Sequence, residues 1–89
     1  TMKIEIEVED VAGLKEAIEA GADIVMLDNM DTVEMKKAVE VAQGKVILEA
    51  SGGITFEDLV EVAKTGVDII SVGALTHSVK ALDISLKIN

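Results

Sequence analysis

The segment GADIVMLDNMDTVEMKKAVEVAQGKVILEASGG, residues 21–53, alternates between two kinds of sequence pattern. Two short apolar runs, IVML and VIL, have the length and composition of buried strands. Between them, apolar side chains return every three or four residues, at Met35, Ala38, Val39 and Ala42, which predicts a helix. A strand, a helix and a second strand in this order predict a right-handed crossover and a parallel pair of strands.

The same pattern recurs along the chain. Gly21, Gly44 and Gly66 each end a helical pattern, as glycine does when the residue after a helix takes a positive φ. Strand patterns follow each of them, and another, KIEIEVE, precedes them all. The motif G-x-D-I occurs twice and predicts that Asp23 and Asp68 cap the starts of strands.

Each predicted helix begins with a residue whose side chain can accept hydrogen bonds from free backbone N–H groups: Asp10, Asp31 and Thr55. The element order is therefore β-α-β-α-β-α-β. Beyond it, the alternation of Leu82, Ile84, Leu86 and Ile88 predicts a fifth strand. We predict one α/β domain, residues 1–89, made of parallel βα repeats with four to five strands.

Length and charge limit the function. A complete (β/α)₈ barrel needs about 250 residues and eight strands, so this chain of 89 residues, with four to five predicted strands, could supply roughly half of one. It carries a net charge of −9, with eight lysines and no arginine, and it has no cysteine. Nucleic acid is not an expected partner, because this surface would repel phosphate. A membrane is not expected either, because no apolar run approaches 20 residues, and we expect a cytoplasmic location.

The strands differ in their two faces. One face is apolar and can pack under helices, whereas the other includes Glu5, Glu7, Asp28 and Glu49. Unpaired buried carboxylates are costly, so this second face is not an ordinary core. The interior of a half TIM-like barrel would explain it; an exposed face, or pairing with cations from elsewhere, would also do so. The alternative fold is a flavodoxin-like doubly wound layer.

Polar residues and glycines collect where the predicted strands end, which is where barrel active sites lie. They include Glu7, Glu9, Asp28, Asn29, the segment 51–53 and the segment 73–75. Gly52 and Gly53 would let backbone N–H groups approach an anion, and the helix starting near Thr55 would add its positive end. These loops therefore predict a phosphate site.

Five blocks in order, IEIEVED, GADIVMLDNM, LEASGGIT, GVDIISVGALTHS and ALDISLKI, resemble the C-terminal barrel of quinolinate phosphoribosyltransferase. The resemblance runs from Lys3 to Ile88. It implies a Mg²⁺-dependent transferase of NAD biosynthesis that converts quinolinate and phosphoribosyl pyrophosphate to nicotinate mononucleotide, pyrophosphate and CO₂. In that family an N-terminal domain precedes the barrel, and the enzyme is a dimer or larger.

The resemblance also implies residue roles. Glu7 and Asp28 correspond to the catalytic carboxylates that address the ribose and the metal. A second set corresponds to the 5′-phosphate site: Ser51, Gly52, Gly53, Gly73 and Ala74. His77 is an added candidate near phosphate, although a lone histidine is more often a local hydrogen-bonding residue.

The chain departs from the family in lacking the segments and the arginine that hold the two carboxylates of quinolinate. We therefore expect a fragment of the barrel that is inactive alone, binds no resident cofactor by itself and associates as a homodimer or with a complementing barrel fragment. A phosphorylated small molecule remains an expected ligand. The alternative is an engineered or excised half-barrel that serves as a structural module without activity.

Overall fold

The computed structural model describes residues 2–72 and 77–88, and for residues 77 and 85–88 it describes the backbone only. The elements in chain order are β1 (Glu5–Val8), α1 (Val11–Glu19), β2 (Ile24–Asp28), α2 (Thr32–Ala42), β3 (Ile47–Ser51), a 3₁₀ turn (Phe56–Asp58), α3 (Leu59–Ala63), β4 (Ile69–Val72), β5 (His77–Lys80) and α4 (Ala81–Ile88). Within the described ranges, no helix has the length and apolar character needed to cross a membrane.

The five strands form one sheet in the order β1-β2-β3-β4-β5. The first four are parallel to their neighbours, and β5 runs antiparallel to β4. Each strand therefore lies beside the next strand in sequence, as in the wall of a barrel. A flavodoxin-like layer needs a reversal of strand order and helices on both faces. The predicted half-barrel is confirmed, and the doubly wound alternative is not the fold.

The hydrophobic core lies between the sheet and the helices on one of its faces. Its largest fully buried side chains are Leu14, Val25, Leu27, Met35 and Ile70. The strand residues among them belong to the apolar face predicted from the sequence. Consecutive side chains in a strand point to opposite faces, so the alternate residues of the same strands lie on the opposite face, which we call the open face.

The open face is arranged in rows across the sheet. Glu7, Met26, Glu49, Ile69 and Lys80 are register partners in one row. The next row toward the strand ends begins with the partners Asp28 and Ser51 and continues through Ser71 and Ser78. The row at the strand starts contains Glu5, Ile24 and Ile47. Polar groups thus dominate at the ends of the strands and along β1.

Two of the three predicted helix caps are confirmed, since the side chain accepts a hydrogen bond from the backbone N–H three residues later. Asp10 Oδ1 accepts from Gly13 N at 2.7 Å, and Asp31 Oδ1 accepts from Glu34 N at 2.8 Å. At Thr55 the bonding runs through Asp58, whose Oδ2 accepts from both Thr55 N and Thr55 Oγ1 at 3.0 Å.

Asp23 and Asp68 make the same pair of hydrogen bonds at the starts of β2 and β4. Asp23 Oδ2 accepts from Ile4 N at 2.7 Å, and Asp23 N donates to Ile4 O at 2.8 Å. Asp68 does this with Leu48, at 2.8 and 2.9 Å. The prediction that both residues cap strand starts is confirmed.

The predicted strand over Leu82–Ile88 is wrong. The fifth strand comes earlier, at His77–Lys80, and Ala81–Ile88 is a helix that contacts α3. Ala81 is buried and Ile84 packs against the core, whereas Leu82 is 70% exposed. The spacing from 81 to 84 and on to 88 is helical, so the apolar residues fit both periods and contact with α3 favours the helix.

Candidate functional site

The candidate site lies at the edge of the sheet where β1, β2 and β3 end. Asp28 and Ser51 are register partners in the last row of β2 and β3, and both are half-buried. Glu7 lies on the open face one row lower, beside Met26, and is exposed. The structure therefore places three of the sequence-predicted site residues on one face of adjacent strands.

The surroundings of Gly52 explain why a glycine directly follows β3. Its φ is +96°, and a Cβ at this position would lie 2.6 Å from Asn29 Oδ1, 2.7 Å from Asn29 N and 2.9 Å from Asp28 Oδ1. Real Cβ atoms do not approach so closely. The backbone of Gly52 is thus packed directly against the end of β2, which excludes every side chain.

Asn29, at the end of the neighbouring strand β2, also has a positive φ. Its φ is +57°, a left-handed value that is uncommon outside glycine, and its N–H donates to Ser51 O at 3.1 Å. This contact ties the residue after Asp28 to the residue before Gly52. The sequence pattern predicts that Asn29 lies at a strand end, but the bond of Asn29 to Ser51 depends on the register of two strands.

Gly53 differs from its neighbour in its surroundings. Its φ is +68°, yet a Cβ there would meet nothing within 4 Å. Among the hydrogen bonds between described residues, neither the Gly52 nor the Gly53 N–H is a donor. Two adjacent N–H groups at a strand end thus have no acceptor within the described part of the chain, and successive N–H groups of this kind can form an anion-binding turn.

The predicted contribution of a helix N-terminus to this site is smaller than expected. The chain after Gly53 enters a 3₁₀ turn and then α3, which has only five residues. Asp58 already accepts from Thr55 N, and Glu57 and Glu61 also lie in the first turns. These carboxylates offset the positive end of the helix.

Asp58 is the one described group with a clear change in acidity. The backbone N–H of Thr55, and after it the Thr55 hydroxyl, donate to this carboxylate and lower its pKa below the ordinary value of an aspartate. Its carboxyl group is exposed, so the effect comes from hydrogen bonds. Asp58 stays ionised at neutral pH, which keeps the turn after Gly53 bonded.

A cleft of about 310 Å³ lies between the turn after β2 and the turn after β3. Gly52, Gly53 and Ile54 form one side, and Met30, Asp31 and Thr32 form the other. Asp31 was predicted only as a helix cap, and its carboxylate does accept a hydrogen bond from Glu34 N. The cleft extends the strand-end region on the helical side of the sheet.

Glu49, which the sequence left as a solvated or partner-paired residue, has a specific contact on the open face. Its Oε2 accepts from Ser71 Oγ at 2.5 Å, and Ser71 Oγ lies 3.4 Å from Ser78 Oγ. The three side chains join β3, β4 and β5. Glu5 and Glu9 are exposed.

The remaining predicted site residues are only partly within the structure. Gly73 and Ala74 lie outside the described residues. His77 belongs to β5, where its backbone is the register partner of Val72, but its side chain is outside the described part. Their predicted contribution to a phosphate site stays a prediction.

The described residues contain no group of three or more histidine, cysteine or acidic side chains able to hold a metal ion. Glu7 and Asp28 nevertheless have the donor chemistry that Mg²⁺ prefers. This ion keeps several waters and binds through one or two carboxylates together with substrate phosphates. The pair could supply the one or two carboxylates of such a site, and it does not form a preassembled cage.

The sequence matches a family model described as quinolinate phosphoribosyl transferase, C-terminal domain, over residues 1–87. A probable nicotinate-nucleotide pyrophosphorylase (carboxylating) of Methanocaldococcus jannaschii is 47% identical over 95 residues, covering 99% of this chain and 34% of that protein. A probable enzyme of the same name from Bacillus subtilis is 46% identical over 87 residues, covering 98% of this chain and 30% of that protein. The chain thus spans about a third of the length of these curated relatives.

Solved structures agree with the sequence relatives. The nicotinate-nucleotide pyrophosphorylase from Francisella tularensis superposes with a TM-score of 0.76 at 52% identity, over 85% of this chain and 28% of that one. The enzyme from Ehrlichia chaffeensis gives a TM-score of 0.80 at 38% identity, over 86% of this chain and 28% of that one. The chain therefore belongs to the quinolinate phosphoribosyl transferase family and matches a segment of its C-terminal domain.

Proposed function

We propose that this chain is the wall of a quinolinate phosphoribosyltransferase barrel that carries its ribose, metal and 5′-phosphate contacts. The reaction joins quinolinate and phosphoribosyl pyrophosphate to give nicotinate mononucleotide, pyrophosphate and CO₂, a step of NAD biosynthesis. The supporting observation is the junction of β2 and β3, where Asp28, Asn29, Ser51 and Gly52 are held together at the strand ends.

Glu7 and Asp28 are the proposed catalytic residues. When pyrophosphate leaves the ribose, positive charge develops on the sugar, and carboxylates fixed nearby stabilise that charge. A bound Mg²⁺ ion would neutralise charge on the departing pyrophosphate. Both side chains lie on the open face of neighbouring strands, so one sugar can contact both.

The turn from Ser51 to Gly53 is the proposed 5′-phosphate site. Its support is the pair of glycine N–H groups without acceptors among the described residues and the positive φ of both glycines. Successive N–H groups in such a conformation form a concave site for an anion. Gly73, Ala74 and His77 complete the site in this proposal.

The chain alone is proposed to bind but not to catalyse. Quinolinate carries two carboxylates, and planar bidentate recognition of a carboxylate is the particular strength of arginine. The sequence has no arginine and eight lysines. A homodimer or a complementing barrel fragment would have to supply the quinolinate contacts.

A titration of the isotope-labelled chain with phosphoribosyl pyrophosphate and Mg²⁺, followed by NMR, tests this proposal. We expect saturable shifts of the Gly52 and Gly53 amide signals. Asp28→Asn should weaken binding by about tenfold, or about 1.4 kcal/mol, whereas Glu40→Gln, a matched change on exposed α2, should leave it unchanged. An absence of saturable shifts would contradict the proposal and leave a half-barrel with a structural role only.

A further inference from the structure

We propose that Glu49 is a positioning residue, which orients the hydroxyl groups of Ser71 and Ser78 so that they accept hydrogen bonds from the hydroxyl groups of a bound sugar. The inference rests on the proposed function, because the sugar is the ribose that carries the 5′-phosphate. It extends the site to β4 and β5, whereas the proposed catalytic carboxylates lie on β1 and β2.

The three side chains form a continuous chain of contacts across β3, β4 and β5. Glu49 Oε2 accepts from Ser71 Oγ at 2.5 Å, and Ser71 Oγ lies 3.4 Å from Ser78 Oγ. Glu49 and Ser71 are half-buried, whereas Ser78 is exposed. The chain therefore leads from a half-buried carboxylate to an exposed hydroxyl group.

The carboxylate of Glu49 fixes the direction of both contacts. An ionised carboxylate only accepts hydrogen bonds, and a serine hydroxyl has a single proton to donate. Ser71 uses that proton in its bond to Glu49. The distance between the two serine oxygens allows either to donate, but only Ser78 still has a proton for this contact. Both serine oxygens are thereby left to any further partner as acceptors.

The two serines lie in the same row as the proposed ribose and phosphate contacts. Extending the register of β3 and β4 by one residue beyond its last pair places Ser51 beside Ser71. Asp28 is the partner of Ser51 on β2, and Ser78 is the partner of Ser71 on β5. Ser71 is thus two strands from Asp28, about 10 Å at the usual strand spacing. A sugar with hydroxyl groups on both sides can span this gap through two hydrogen bonds of about 2.8 Å.

Hydrogen-bond direction separates this row from the turn after β3. The N–H groups of Gly52 and Gly53 are donors without an acceptor among the described residues, so they suit the oxygens of a phosphate. Asp28 and the oriented serines are acceptors, so they suit hydroxyl groups and disfavour phosphate oxygens, which carry no proton. A ligand with a phosphate at one end and hydroxyl groups at the other satisfies both, and a sugar phosphate has this arrangement.

The first experiment compares inorganic phosphate with ribose 5-phosphate. Each is titrated into the isotope-labelled chain and followed by NMR at the Gly52 and Gly53 amides. Both probes carry the phosphate, but only the sugar can reach the serine row, so we expect ribose 5-phosphate to bind at least about tenfold more tightly. Glu49→Gln should reduce this ratio about threefold or more and leave the affinity for phosphate unchanged, because the new amide can donate to Ser71 and reverse its direction.

A double substitution shows whether Glu49 acts through Ser71. Ser71→Ala should reduce the ratio as Glu49→Gln does, and Glu49→Gln/Ser71→Ala should reduce it no further. Losses that add up in the double variant would mean that Glu49 contacts the sugar directly, and would overturn the positioning role.

Two more variants control for charge and for folding. Glu5→Gln removes the same charge from an exposed position on the open face, at the strand starts, and should keep the ratio of the unmodified chain. Ser78→Ala truncates an exposed side chain, so it tests the row without disturbing the half-buried pair. This variant should also lower the ratio.

A hydrogen bond with a purely structural role predicts a different result. In that case Glu49→Gln would leave the ratio unchanged, or would weaken both probes by the same factor, and either outcome would overturn the inference. Equal affinities of the unmodified chain for the two probes would overturn it as well, while leaving the phosphate site intact. If neither probe bound the unmodified chain saturably, the proposed function itself would fail and the inference with it.

Discussion

The two faces of the sheet use the same strands for opposite purposes. On the helical face, Val25, Leu27 and Ile70 are completely buried in one continuous core. On the open face, their neighbours in sequence are Met26, Asp28 and Ser71, which keep partial exposure. A side-chain period of two residues lets one strand contribute to a core and to a polar surface at once. Stability should therefore depend on the helical face, and ligand contacts on the open face.

The largest expected effect is the difference in stability between truncating a side chain on the helical face and truncating its neighbour on the open face. Leu27→Ala should lower the free energy of unfolding by about 2–5 kcal/mol, because it removes a fully buried side chain and leaves a cavity. Met26→Ala, one residue away on the open face, should cost less than about 1.5 kcal/mol because that side chain is only half-buried. Urea unfolding monitored by circular dichroism measures both. Equal losses would mean that the open face is also a packed core.

Adding a side chain at Gly52 should also lower the stability of the fold strongly. Gly52→Ala should cost about 2–4 kcal/mol, because the new Cβ would overlap Asn29 and the residue would keep a positive φ. Gly53→Ala is the matched control, with positive φ but free space, and should cost about 1–2 kcal/mol. The same unfolding assay compares them. A Gly52→Ala variant as stable as Gly53→Ala would argue against the close approach of β3 to the end of β2.

The carboxylates of Asp23 and Asp68 at the strand starts should contribute to stability although both residues are exposed. Asp68→Ala removes the acceptor for Leu48 N and should cost about 1–2 kcal/mol. Asp23→Ala should behave alike, because it removes the equivalent bond to Ile4 N. Glu40→Ala, at an exposed helical position, serves as the control in thermal unfolding. If both aspartate variants matched the control, the paired bonds would contribute nothing to stability.

The smallest effect should appear as a dependence on pH. Hydrogen bonds from Thr55 lower the pKa of Asp58 in the folded chain, so the unfolded chain takes up this proton at a higher pH. The resulting stabilisation is present above the unfolded pKa of about 3.9 and is lost as the pH falls through the lower folded value. Asp58→Asn should therefore be less stable than the parent at neutral pH, with the difference shrinking in acid. Unfolding at a series of pH values tests this, with Glu57→Gln as a neighbouring control.

Local patterns predicted the fold well because each strand and helix carries its own signal. The caps at Asp10 and Asp31 were correct, as was the division of strand residues between two faces. The strand prediction for the tail was wrong because the apolar residues there fit two periods. Leu82, Ile84, Leu86 and Ile88 alternate as in a strand, but Ile84 and Ile88 are also spaced as in the helix that forms. Only the neighbouring α3 decides between them, and that contact is not local in sequence.

The candidate site was predictable in its residue types but not in its contacts. The positions of Glu7, Asp28 and the turn after Ser51 follow from strand ends and from the family resemblance. The overlap that forbids a side chain at Gly52 arises from Asn29, which directly follows β2 and lies 23 residues earlier in the sequence. It depends on the register of β2 and β3, which the sequence does not state.

Asp23 and Asp68 make the same hydrogen bond in two separate βαβ segments of the chain. Asp23 bonds Ile4 within the unit formed by β1, α1 and β2, and Asp68 bonds Leu48 within the unit formed by β3, α3 and β4. Each unit contains both partners of its own bond. Duplication or loss of one whole unit during evolution would leave every remaining aspartate with its partner, so a sheet of this kind can change its number of strands two at a time.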